Sequence, residues 1–553
     1  MVGPQYDFLA NPLGVVRSTF DAAVASVSDP SAFDGRDWGV FPLFHHFLSD
    51  QSSLSQVPLL TPATIKWVKP NTLVRFRGMI QDMLGNEFYI GAYKVPGLSP
   101  WTQVSVEEFG DLSMDCKSEN REKRRREDGE SSDMPVSGDE VQNSPNSKRM
   151  REGEHSSVAS HSQGAATEIA SSGTSLVSGL DSNSPPCLVK IYDSPDSELK
   201  LNDIFEFVGI LTSDLELEED DEDCDLSDGF SEDPLRHLPP SKVPHLHCFI
   251  QRKLAVHDFL QHNPIVEPRP NLVRGIREAL LRHLTAVLSN DDLATHFMLL
   301  HLLSKVHARA DDLAVGKLSL NLTCFSKETV SVFGKPLSVA LKNLLPFTFC
   351  IPLTVEYLNS VSLTPKKNYD TNRLETGVLQ LAEGSHLIVD ETKLEAGTLN
   401  SVGVENTRLL KNLMELQKVE YDFKYYKVDM TTDFQLLVLS EGKSNILPAD
   451  VIVPFRPSAT SCSGAVTAEA LEAWRWYLAT VRQLSHTIEP EMQKVIESDL
   501  VAARQADRSL SSQDLSRLVT MGRLMSLSYG ETSLSLEHWQ MVKELERLRR
   551  ERL

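Results

Sequence analysis

The chain has 553 residues, 41% of them hydrophobic, so we expect roughly three or four domains with sizeable cores. Its formal net charge of -22 argues against direct, tight binding to DNA, because each phosphate contact needs a lysine or an arginine. Its seven cysteines form no Cys-x-x-Cys pair, which favours reduced thiols in a cytosolic or nuclear protein. The sequence begins without a signal-peptide pattern and has no run of about 18 apolar residues, so we expect no membrane segment.

The N-terminal part of the chain has the alternating apolar pattern of β-strands. Residues 72–81 and 87–93 are predicted to pair as a β-hairpin. Further strands are predicted at residues 187–192, 203–211 and 245–250. Because a strand set of this size rarely closes a barrel alone, we expect one small β-barrel whose strands are separated by a long flexible insert.

The insert, residues 111–186, is rich in polar and charged side chains and has few large apolar ones. Such a composition cannot offset the entropy cost of folding, so we expect the segment to be disordered. Residues 214–233 form a second expected loop, which is strongly acidic. This acidic loop either engages the basic surface of a DNA-handling partner or only keeps the chain soluble.

Basic side chains cluster at two places in the insert. They are Lys123, Arg124, Arg125, Arg126, Lys148, Arg149 and Arg151. An extended chain can lay them into the acidic groove of a nuclear import receptor, which predicts a split import signal and a nuclear protein. The alternative is a solvated charge run. Ser144, Ser184 and Ser194 each precede a proline and are candidate phosphorylation sites, and a phosphate on Ser144 would weaken import by adding negative charge beside the basic cluster.

From about residue 270 the pattern becomes helical and then alternates between strands and helices. Apolar spacing predicts a helix at residues 270–288, and Asn290 and Asp291 can cap a second helix. Short apolar strands are predicted at residues 317–323, 348–353, 386–390 and 434–440, with a helical stretch at 408–419. This alternation predicts a mostly parallel sheet. Four helices are predicted to close the chain, at residues 468–484, 490–506, 512–528 and 535–553.

The most informative segment is residues 374–391, an apolar run that ends in Asp390 and Glu391. In nucleotide-hydrolysing enzymes such a pair serves Mg²⁺ and the attacking water, downstream of a Gly-x4-Gly-Lys-Ser/Thr phosphate loop. The corresponding loop here, residues 323–329, contains no glycine, and its Lys327 alone cannot cradle phosphates. We therefore expect Asp390 and Glu391 to be vestigial residues that cap the strand end, and we expect no catalytic residue and no cofactor.

A metal site is also not expected. The side chains that could be drawn as a zinc cluster are Cys224, His237, His245, His247 and Cys248. No closely spaced cysteine pair anchors them, and His245 and His247 share one strand face. His45 and His46 are more simply interpreted as an ordinary packed pair.

Several segments of the chain resemble one known protein family. They are residues 11–20, 68–82, 87–91, 299–304, 316–322 and 374–391. They resemble a plant-like member of the mini-chromosome maintenance complex-binding protein family, and the resemblance covers essentially all of the chain except the insert. That family in turn is similar to the subunits of the replicative helicase, of which it resembles a degenerate relative.

The similarity to the helicase subunits rests on two segments. Before their Asp-Glu strand those subunits read Leu-Glu-x-Gly-Ala-Leu-x-Leu-Ala-Asp-x-Gly. This chain matches that pattern at Leu374, Glu375, Gly377, Leu379, Leu381, Ala382 and Gly384. Residues 515–519 and 534–539 resemble the helicase lid, in which a nucleotide-sensing arginine would fall near Gln513.

The fold class that follows is α/β plus β-barrel. In chain order, the expected parts are the N-terminal region with the first part of an OB-like β domain at 1–110, the disordered insert at 111–186, the rest of the β domain at 187–264, a degenerate AAA-like α/β domain at 265–460 and a helical lid-like module at 461–553. The two cores would thus be separate, with the helicase-like one in the C-terminal half.

The resemblance implies a non-catalytic regulator of DNA replication and the cell cycle. Such a protein would bind subunits of the mini-chromosome maintenance helicase in the nucleus, promote remodelling or unloading of that complex from chromatin, and support sister-chromatid cohesion through mitosis and cell division. Two alternatives stay open. One is a residual ATPase that binds nucleotide through Lys327 and Asp390, and the other is a DNA-binding β-barrel that uses Arg75 and Arg77.

Overall fold

The structure is a computed structural model, and it describes most of the chain outside the insert. The described residues are 7–26, 38–61, 63–65, 67–84, 92–93, 102–103, 186–192, 199–212, 243–255, 259, 269–310, 313–444, 446–458 and 466–553. Residues 111–185 and the acidic loop 214–233 lie outside them. The chain divides into two compact units, of which the first is Met1–Val16, Phe41–Asn86 and Ser175–Leu553 and the second is Arg17–Val40 and Glu87–Thr174.

The N-terminal region contains short helices and strands. They are α1 (Pro12–Ser26), α2 (Val40–Ser49), α3 (Gln51–Gln56), β1 (Leu59–Leu60), β2 (Thr72–Met79), β3 (Ala92–Tyr93) and β4 (Thr102–Gln103). In the second unit β3 pairs with β4 in antiparallel orientation. In the first unit Asp50 caps α3 by accepting a hydrogen bond from the backbone N–H of Ser53 at 3.1 Å.

Three longer strands complete the β-rich part of the first unit, namely β5 (Leu188–Ile191), β6 (Ile204–Thr212) and β7 (His245–Lys253). The sheet has the order β1-β2-β6-β7-β5, with β2, β6 and β7 antiparallel and the two edge strands parallel to their neighbours. One face packs Val74, Phe207 and Leu246 into a small core. The strands predicted at residues 187–192, 203–211 and 245–250 are therefore confirmed.

Two predictions for this region are wrong. Residues 72–79 form β2, which lies between β1 and β6, and the described part of the predicted partner, residues 92–93, pairs with β4 instead. The alternating pattern identifies a strand but not its partner, and the nine-residue β6 offers β2 a longer apolar ladder than a local hairpin would. The described sheet is also not a closed barrel, since its two edge strands, β1 and β5, do not pair with each other. These edge strands have only two and four residues.

The C-terminal half of the chain contains three further sheets. Their strands are β8 (Ala308–Ala310), β9 (Leu313–Val315), β10 (Leu320–Thr323), β11 (Thr348–Pro352), β12 (Lys366–Asn368), β13 (Arg373–Glu375), β14 (His386–Asp390), β15 (Lys418–Asp422), β16 (Lys427–Thr431), β17 (Gln435–Leu439) and β18 (Val451–Pro454). The central sheet has the order β11-β14-β17-β10-β18, and every pair in it is parallel. The predicted parallel sheet is confirmed, and β18 is a strand that the sequence analysis missed.

Some helices precede or connect the strands of this sheet, and four more come after β18 at the C-terminal end of the chain. They are α4 (Pro270–Val287), α5 (Asp292–Leu303), α6 (Lys335–Leu344), α7 (Val355–Ser360), α8 (Ser401–Leu416), α9 (Ala468–Gln483), α10 (Pro490–Ala506), α11 (Ser512–Ser528) and α12 (Leu536–Arg552). A short helical turn at Lys327–Thr329 and a π-helical segment at Val330–Gly334 lead into α6. The predicted helix at 408–419 is corrected, since Gln417 adopts a left-handed backbone conformation that ends α8 before β15.

Side chains cap the first turns of several helices. Asp291 caps α5 by accepting from the backbone N–H of Ala294 at 3.1 Å, as its sequence predicts, and α5 is buried nearly all round. Ser511 and Asp514 form a capping box at the start of α11. The apolar faces of α4, α5, α9, α11 and α12 share one core with the parallel sheet. The C-terminal helices thus pack directly on the α/β domain.

A second core lies on the other side of the parallel sheet. It is formed by alternate side chains of β14 and β17 together with α7, α8 and β15. The four-stranded sheet of order β13-β12-β15-β16 adjoins this core and brings the turn of the β12–β13 hairpin beside the turn of the β15–β16 hairpin. These two hairpins reach out from the domain.

Candidate functional site at the carboxyl edge of the parallel sheet

The carboxyl ends of β10, β14 and β17 meet at one edge of the central sheet. Ligands of α/β proteins bind in the crevice outside this edge, at the point where the strand order reverses. Here the reversal lies at β10, because the chain passes from β10 to the far edge at β11 and returns to place β18 on its other side. Any nucleotide would therefore be expected between the loops after β10, β14 and β17.

The loop after β10 occupies the place of a phosphate loop, and its own backbone closes it. The N–H of Cys324 donates to the carbonyl of Glu441 at 3.0 Å, and the N–H of Phe325 donates to the carbonyl of Ser440 at 3.0 Å. Phosphate binding requires such amides to point freely at the ligand. Here both amides already donate hydrogen bonds to backbone carbonyls of the loop after β17.

The side chain of Phe325 completes this closure. It is 0% exposed and stacks on Phe455, with ring centroids 4.7 Å apart and an interplanar angle of 15°. Cys324 adopts a positive φ of 68°, which turns the chain so that Phe325 enters the core. A loop anchored by a buried aromatic ring cannot open around a triphosphate without a large cost in stability.

The loop after β17 is held equally tightly. Asn321 on β10 is buried, and its amide donates to the hydroxyl of Ser440 at 2.7 Å and to the carbonyl of Val438 at 3.3 Å. The hydroxyl of Ser440 in turn donates to the carbonyl of Gly442 at 2.7 Å. In a nucleotide hydrolase this position would present a polar sensor to the ligand, whereas here the hydroxyl of Ser440 is engaged by Asn321 and by the carbonyl of Gly442.

Asp390, at the carboxyl end of β14, caps the turn that follows it. Its Oδ1 accepts hydrogen bonds from the N–H of Thr392 at 3.1 Å and from the hydroxyl of Thr392 at 2.5 Å. Lys393 lies 3.9 Å from its other oxygen. The capping role expected for Asp390 is thus seen in its contacts, and the carboxylate is directed at its own chain.

The carboxyl group of Glu391 is less well hydrogen-bonded than that of Asp390. Burial raises the pKa of its carboxyl group, and a hydrogen bond with Ser444 partly offsets that rise. Its Oε2 atom is buried without a hydrogen-bond partner. The Asp390 carboxylate is thus engaged by its own turn, whereas one oxygen of Glu391 is left without a hydrogen-bond partner.

The remaining residues of the ATPase alternative do not complete a site. The structure describes the backbone of Lys327 at the start of the helical turn, but its side chain lies outside the described part. Gln513, near which a sensing arginine was sought, is exposed on the first turn of α11. Arg517, one turn later, donates to the carbonyl of Asp450 at 3.0 Å and to Glu546 at 3.1 Å. This arginine therefore joins α11 to the sheet and to α12.

A buried ion-pair network surrounds Glu546, and it was not predicted from the sequence. This buried carboxylate accepts from Arg549 at 2.7 Å, from Arg517 at 3.1 Å and from Arg550 at 3.0 Å. Burial alone would raise its pKa, but the three guanidinium groups hold the pKa below its usual range. The arginine-rich end of α12 was the available signal in the sequence, but it does not reveal the buried carboxylate that these arginines contact.

The two arginines of the DNA-binding alternative contact a buried carboxylate. Arg77 donates to Glu206 at 2.9 Å, and Arg75 lies 3.9 Å from the same oxygen. Arg252 on β7 reaches the other oxygen at 3.2 Å. Glu206 is 2% exposed, so this cluster is partly neutralised from within the sheet. Its geometry is that of an ion-pair network between β2, β6 and β7.

Only three of the five side chains that could be drawn as a zinc cluster, His245, His247 and Cys248, lie within the described residues. Cys224 and His237 lie outside the described residues, whereas Nδ1 of His247 lies 2.5 Å from the hydroxyl of Tyr192 and burial lowers its pKa to about 4. Burial raises the pKa of Cys248 to about 12. In the described ranges no group of three or more His, Cys, Asp or Glu side chains could hold a metal ion.

Several predicted sites lie outside the described residues altogether. These are the basic cluster at Lys123, Arg124, Arg125, Arg126, Lys148, Arg149 and Arg151 and the phosphorylation candidates Ser144, Ser184 and Ser194. His45 and His46 are both exposed on α2, which corrects the expectation of a packed pair. Of the helices that the structure describes, none is long and apolar enough to cross a membrane.

The fold and the site define a mixed α/β protein that has an Asp-Glu strand end and, after β10, a loop closed by its own backbone hydrogen bonds and by the buried ring of Phe325. Residues 44–95 and 94–553 match the model of the family described as mini-chromosome maintenance replisome factor, and the chain belongs to this family.

Relatives of the chain are similar to it over nearly their whole length. A protein from Arabidopsis thaliana is 54% identical, with 100% of each chain covered, and one from Salmo salar is 32% identical, with 99% of this chain and 97% of the relative covered. A relative from Homo sapiens is 30% identical over 99% of this chain and 98% of its own. Each of these relatives is named mini-chromosome maintenance complex-binding protein. The family resemblance predicted from the sequence is confirmed.

Proposed function

We propose that this chain is a non-catalytic nuclear protein that binds the mini-chromosome maintenance helicase complex during DNA replication. Its membership of a family whose relatives are named for binding that complex supports the partner. The closed loop after β10 supports the absence of catalysis, because the amides of Cys324 and Phe325 already have backbone acceptors. This closed loop is the observation that carries the non-catalytic half of the proposal.

The same proposal assigns the parts of the chain. The parallel sheet and its helices, residues 265–460, would be a degenerate AAA-like domain, and α9 to α12 a lid-like module. The strand end at Asp390 and the position of the loop after β10 at the reversal of strand order favour this assignment. The mixed sheet of β1, β2, β5, β6 and β7 would be an open relative of an OB-like domain.

A mechanism follows from the filled phosphate position. A body shaped like a helicase subunit can occupy a subunit interface, but without a bound triphosphate it cannot form a nucleotide-clamped junction. Rings that contain this chain would then be open or incomplete, which favours remodelling or unloading of the complex from chromatin. Support for sister-chromatid cohesion would be a consequence of that activity. Closed hexamers that retain this chain through cycles of ATP hydrolysis would contradict the mechanism.

Binding and catalysis are tested together on the full-length protein. Purified chain is mixed with the purified helicase complex, co-elution is measured by size-exclusion chromatography, and ATP consumption by the chain alone is measured in parallel. We expect co-elution and no ATP consumption above that of a matched buffer. ATP turnover that disappears in Asp390→Asn would establish the residual ATPase instead, and salt-sensitive DNA binding that disappears in Arg77→Ala would support the DNA-binding alternative.

Import would depend on the basic cluster in residues 123–151. A fluorescent fusion in which Lys123, Arg124, Arg125 and Arg126 are changed to alanine is expected to move from the nucleus to the cytoplasm. The matched control is Arg121→Ala, which removes a basic side chain just outside the run and should leave the fusion in the nucleus. Normal nuclear accumulation of the quadruple variant would remove the import signal from the proposal.

Phosphorylation would act on the same signal. Ser144→Asp, which adds a negative charge near Lys148, is expected to weaken import of the fusion, and Ser144→Ala is expected to leave it unchanged. The nuclear fraction of the fluorescence measures both effects. Equal nuclear fractions for the two variants would remove this control of import from the proposal.

A further inference from the structure

Three tyrosines project from the two hairpins that adjoin the second core. Tyr425 is 77% exposed, Tyr426 58% and Tyr369 45%. Tyr425 and Tyr426 lie in the four-residue link between β15 and β16, and Tyr369 lies in the link between β12 and β13. Neither the closed phosphate position nor the helical module explains why such large side chains are left in solvent.

The contacts between the two links make this surface well defined. The hydroxyl of Tyr369 donates to the carbonyl of Phe423 at 2.9 Å, and its ring meets that of Tyr425 edge-on, with centroids 5.4 Å apart. Tyr426 stacks on Phe423 at 5.0 Å. Phe423 itself packs against the second core. We call these three tyrosines, with Phe423 beneath them, the tyrosine surface.

The backbone of the β15–β16 link is also ordered by hydrogen bonds. The N–H of Phe423 donates to the carbonyl of Tyr426 at 3.0 Å, and the N–H of Lys424 donates to Asp422 at 2.8 Å. Lys424 adopts a positive φ of 63°, which reverses the chain there. Because the link is held in one conformation, a partner that docks on it loses little side-chain and loop entropy.

The chemistry of the tyrosine surface favours a protein as its occupant. Tyrosine is enriched in the centres of protein interfaces, where its ring fills a pocket and its hydroxyl finds a partner. Single-stranded nucleic acid would instead require a groove with excess positive charge. The two links, residues 369–372 and 423–426, contain one acidic residue, Asp370, and one basic residue, Lys424, so they carry no net charge.

We infer that the tyrosine surface is a docking site for a subunit of the mini-chromosome maintenance complex, which it contacts through a near-neutral patch with an apolar centre. This inference rests on the proposed function for the identity of the partner. Tyr425 and Tyr426 are the anchors, because they are the most exposed of the three and lie side by side. Tyr369 positions Tyr425 through the edge-on ring contact.

The test compares the double variant Tyr425→Ser/Tyr426→Ser with wild-type protein and with a matched control. The control is Val495→Ser/Val501→Ser, which removes two exposed apolar side chains, 37% and 56% exposed, from α10. Affinity for the purified helicase complex is measured by biolayer interferometry with the full chain immobilised. We expect the tyrosine variant to bind at least about tenfold more weakly and the control to bind like wild type.

Several outcomes separate this inference from the proposed function. If wild type does not bind the complex, the proposed function fails and the inference fails with it. If wild type and the tyrosine variant bind equally, the docking site is wrong and the proposed function stands. If the tyrosine variant instead loses affinity for a single-stranded oligonucleotide that wild type binds, measured by fluorescence anisotropy, the occupant is nucleic acid and the inference is overturned.

A second measurement covers the case in which the double variant fails to fold. A photoreactive phenylalanine derivative replaces Tyr425 alone, and the chain is irradiated with the purified complex. We expect one crosslinked helicase subunit, identified by mass spectrometry, and no crosslink when the same derivative replaces Val501. Equal crosslinking from both positions would contradict a docking site at the tyrosine surface.

Discussion

The loop after β10 and the tyrosine surface differ in whether their large aromatic side chains are buried or exposed. At the loop, the backbone amides that could bind a nucleotide are satisfied by the chain itself, and Phe325 is driven into the core. At the tyrosine surface, the backbone is equally ordered but the large side chains point into solvent. In the first region the loop amides of Cys324 and Phe325 already donate to carbonyl groups of the chain, whereas the second keeps exposed surface that a partner can bury.

The largest effect is expected at Phe325. Phe325→Ala removes a fully buried stacked ring and should lower the free energy of unfolding by about 3 to 5 kcal/mol, measured by urea denaturation. Phe349→Ala, at a half-exposed ring on β11, is the control and should cost clearly less. A cost below about 1 kcal/mol at Phe325 would mean that the loop is not anchored as described and could open.

A pH effect of similar size is expected from a buried histidine pair. Nε2 of His301 lies 3.0 Å from Nε2 of His386, Nδ1 of His301 lies 2.7 Å from the carbonyl of Leu318, and both rings are fully buried. Burial lowers the pKa of His301 from 6.5 to about 4 and holds that of His386 well below 6.5. Between about pH 4 and pH 6.5, His301 is therefore neutral in the folded state and protonated in the unfolded state. The lowered pKa of His386 acts in the same direction.

This difference gives the sign of the pH dependence. The unfolded chain binds more protons below pH 6.5, so stability should fall as the pH is lowered from 6.5 towards about 4, with His301 contributing roughly 3 kcal/mol. Urea denaturation at successive pH values measures this slope. His386→Gln should flatten it, whereas His46→Gln, at an exposed residue, should leave it unchanged. Stability that is constant from about pH 6.5 to about 4.5 would contradict the neutral pair.

The network around Glu546 should give a somewhat smaller effect. Glu546→Gln leaves Arg517 and Arg549 without their shared carboxylate and should cost about 2 to 3 kcal/mol of unfolding free energy. Glu544→Gln, at an exposed residue paired only with Arg547 in the described contacts, is the matched control and should cost little. Equal costs for both substitutions would show that the buried network does not hold α11 and α12 together.

The smallest effect on stability is expected at the tyrosine surface. Tyr425→Ser removes a side chain that is mostly in solvent, so the free energy of unfolding should change by less than about 0.5 kcal/mol while binding of the helicase complex weakens. Thermal unfolding of wild type and variant measures the first quantity. A large loss of stability would mean that Tyr425 serves the fold of the hairpin rather than a partner.

The elements that the sequence predicted well have strong local signals. Helices α10 and α11 match their predicted bounds, because Pro490 and the capping box at Ser511 mark their first turns. Strand β14 also matches, since Leu387, Ile388 and Val389 form an apolar run that ends at Asp390. For the loop after β10 the sequence showed only that a glycine pattern is missing. The burial of Phe325 depends on a contact with Phe455, far along the chain, that no local pattern encodes.

The elements that were missed depend on distant contacts or are largely polar. Strand β18 has four residues and is defined by pairing with β10. Strands β15 and β16 alternate charged and apolar side chains, a period-two strand pattern that went unrecognised because residues 408–419 were predicted to be helical. Strands β12 and β13 have three residues each and are mostly polar, so they gave no strong strand signal. The predicted hairpin at residues 72–93 failed because β2 finds its partner in β6, which is distant in the sequence.

The most direct test of the account measures binding and nucleotide independence in one experiment. The full-length chain is titrated into the purified helicase complex, and the dissociation constant is measured by biolayer interferometry for wild type and for Asp390→Asn. We predict tight binding with the same constant for both proteins, and no ATP turnover by either chain alone. Failure of wild type to bind, or ATP turnover that Asp390→Asn abolishes, would contradict the central claim that this is a non-catalytic partner of the helicase.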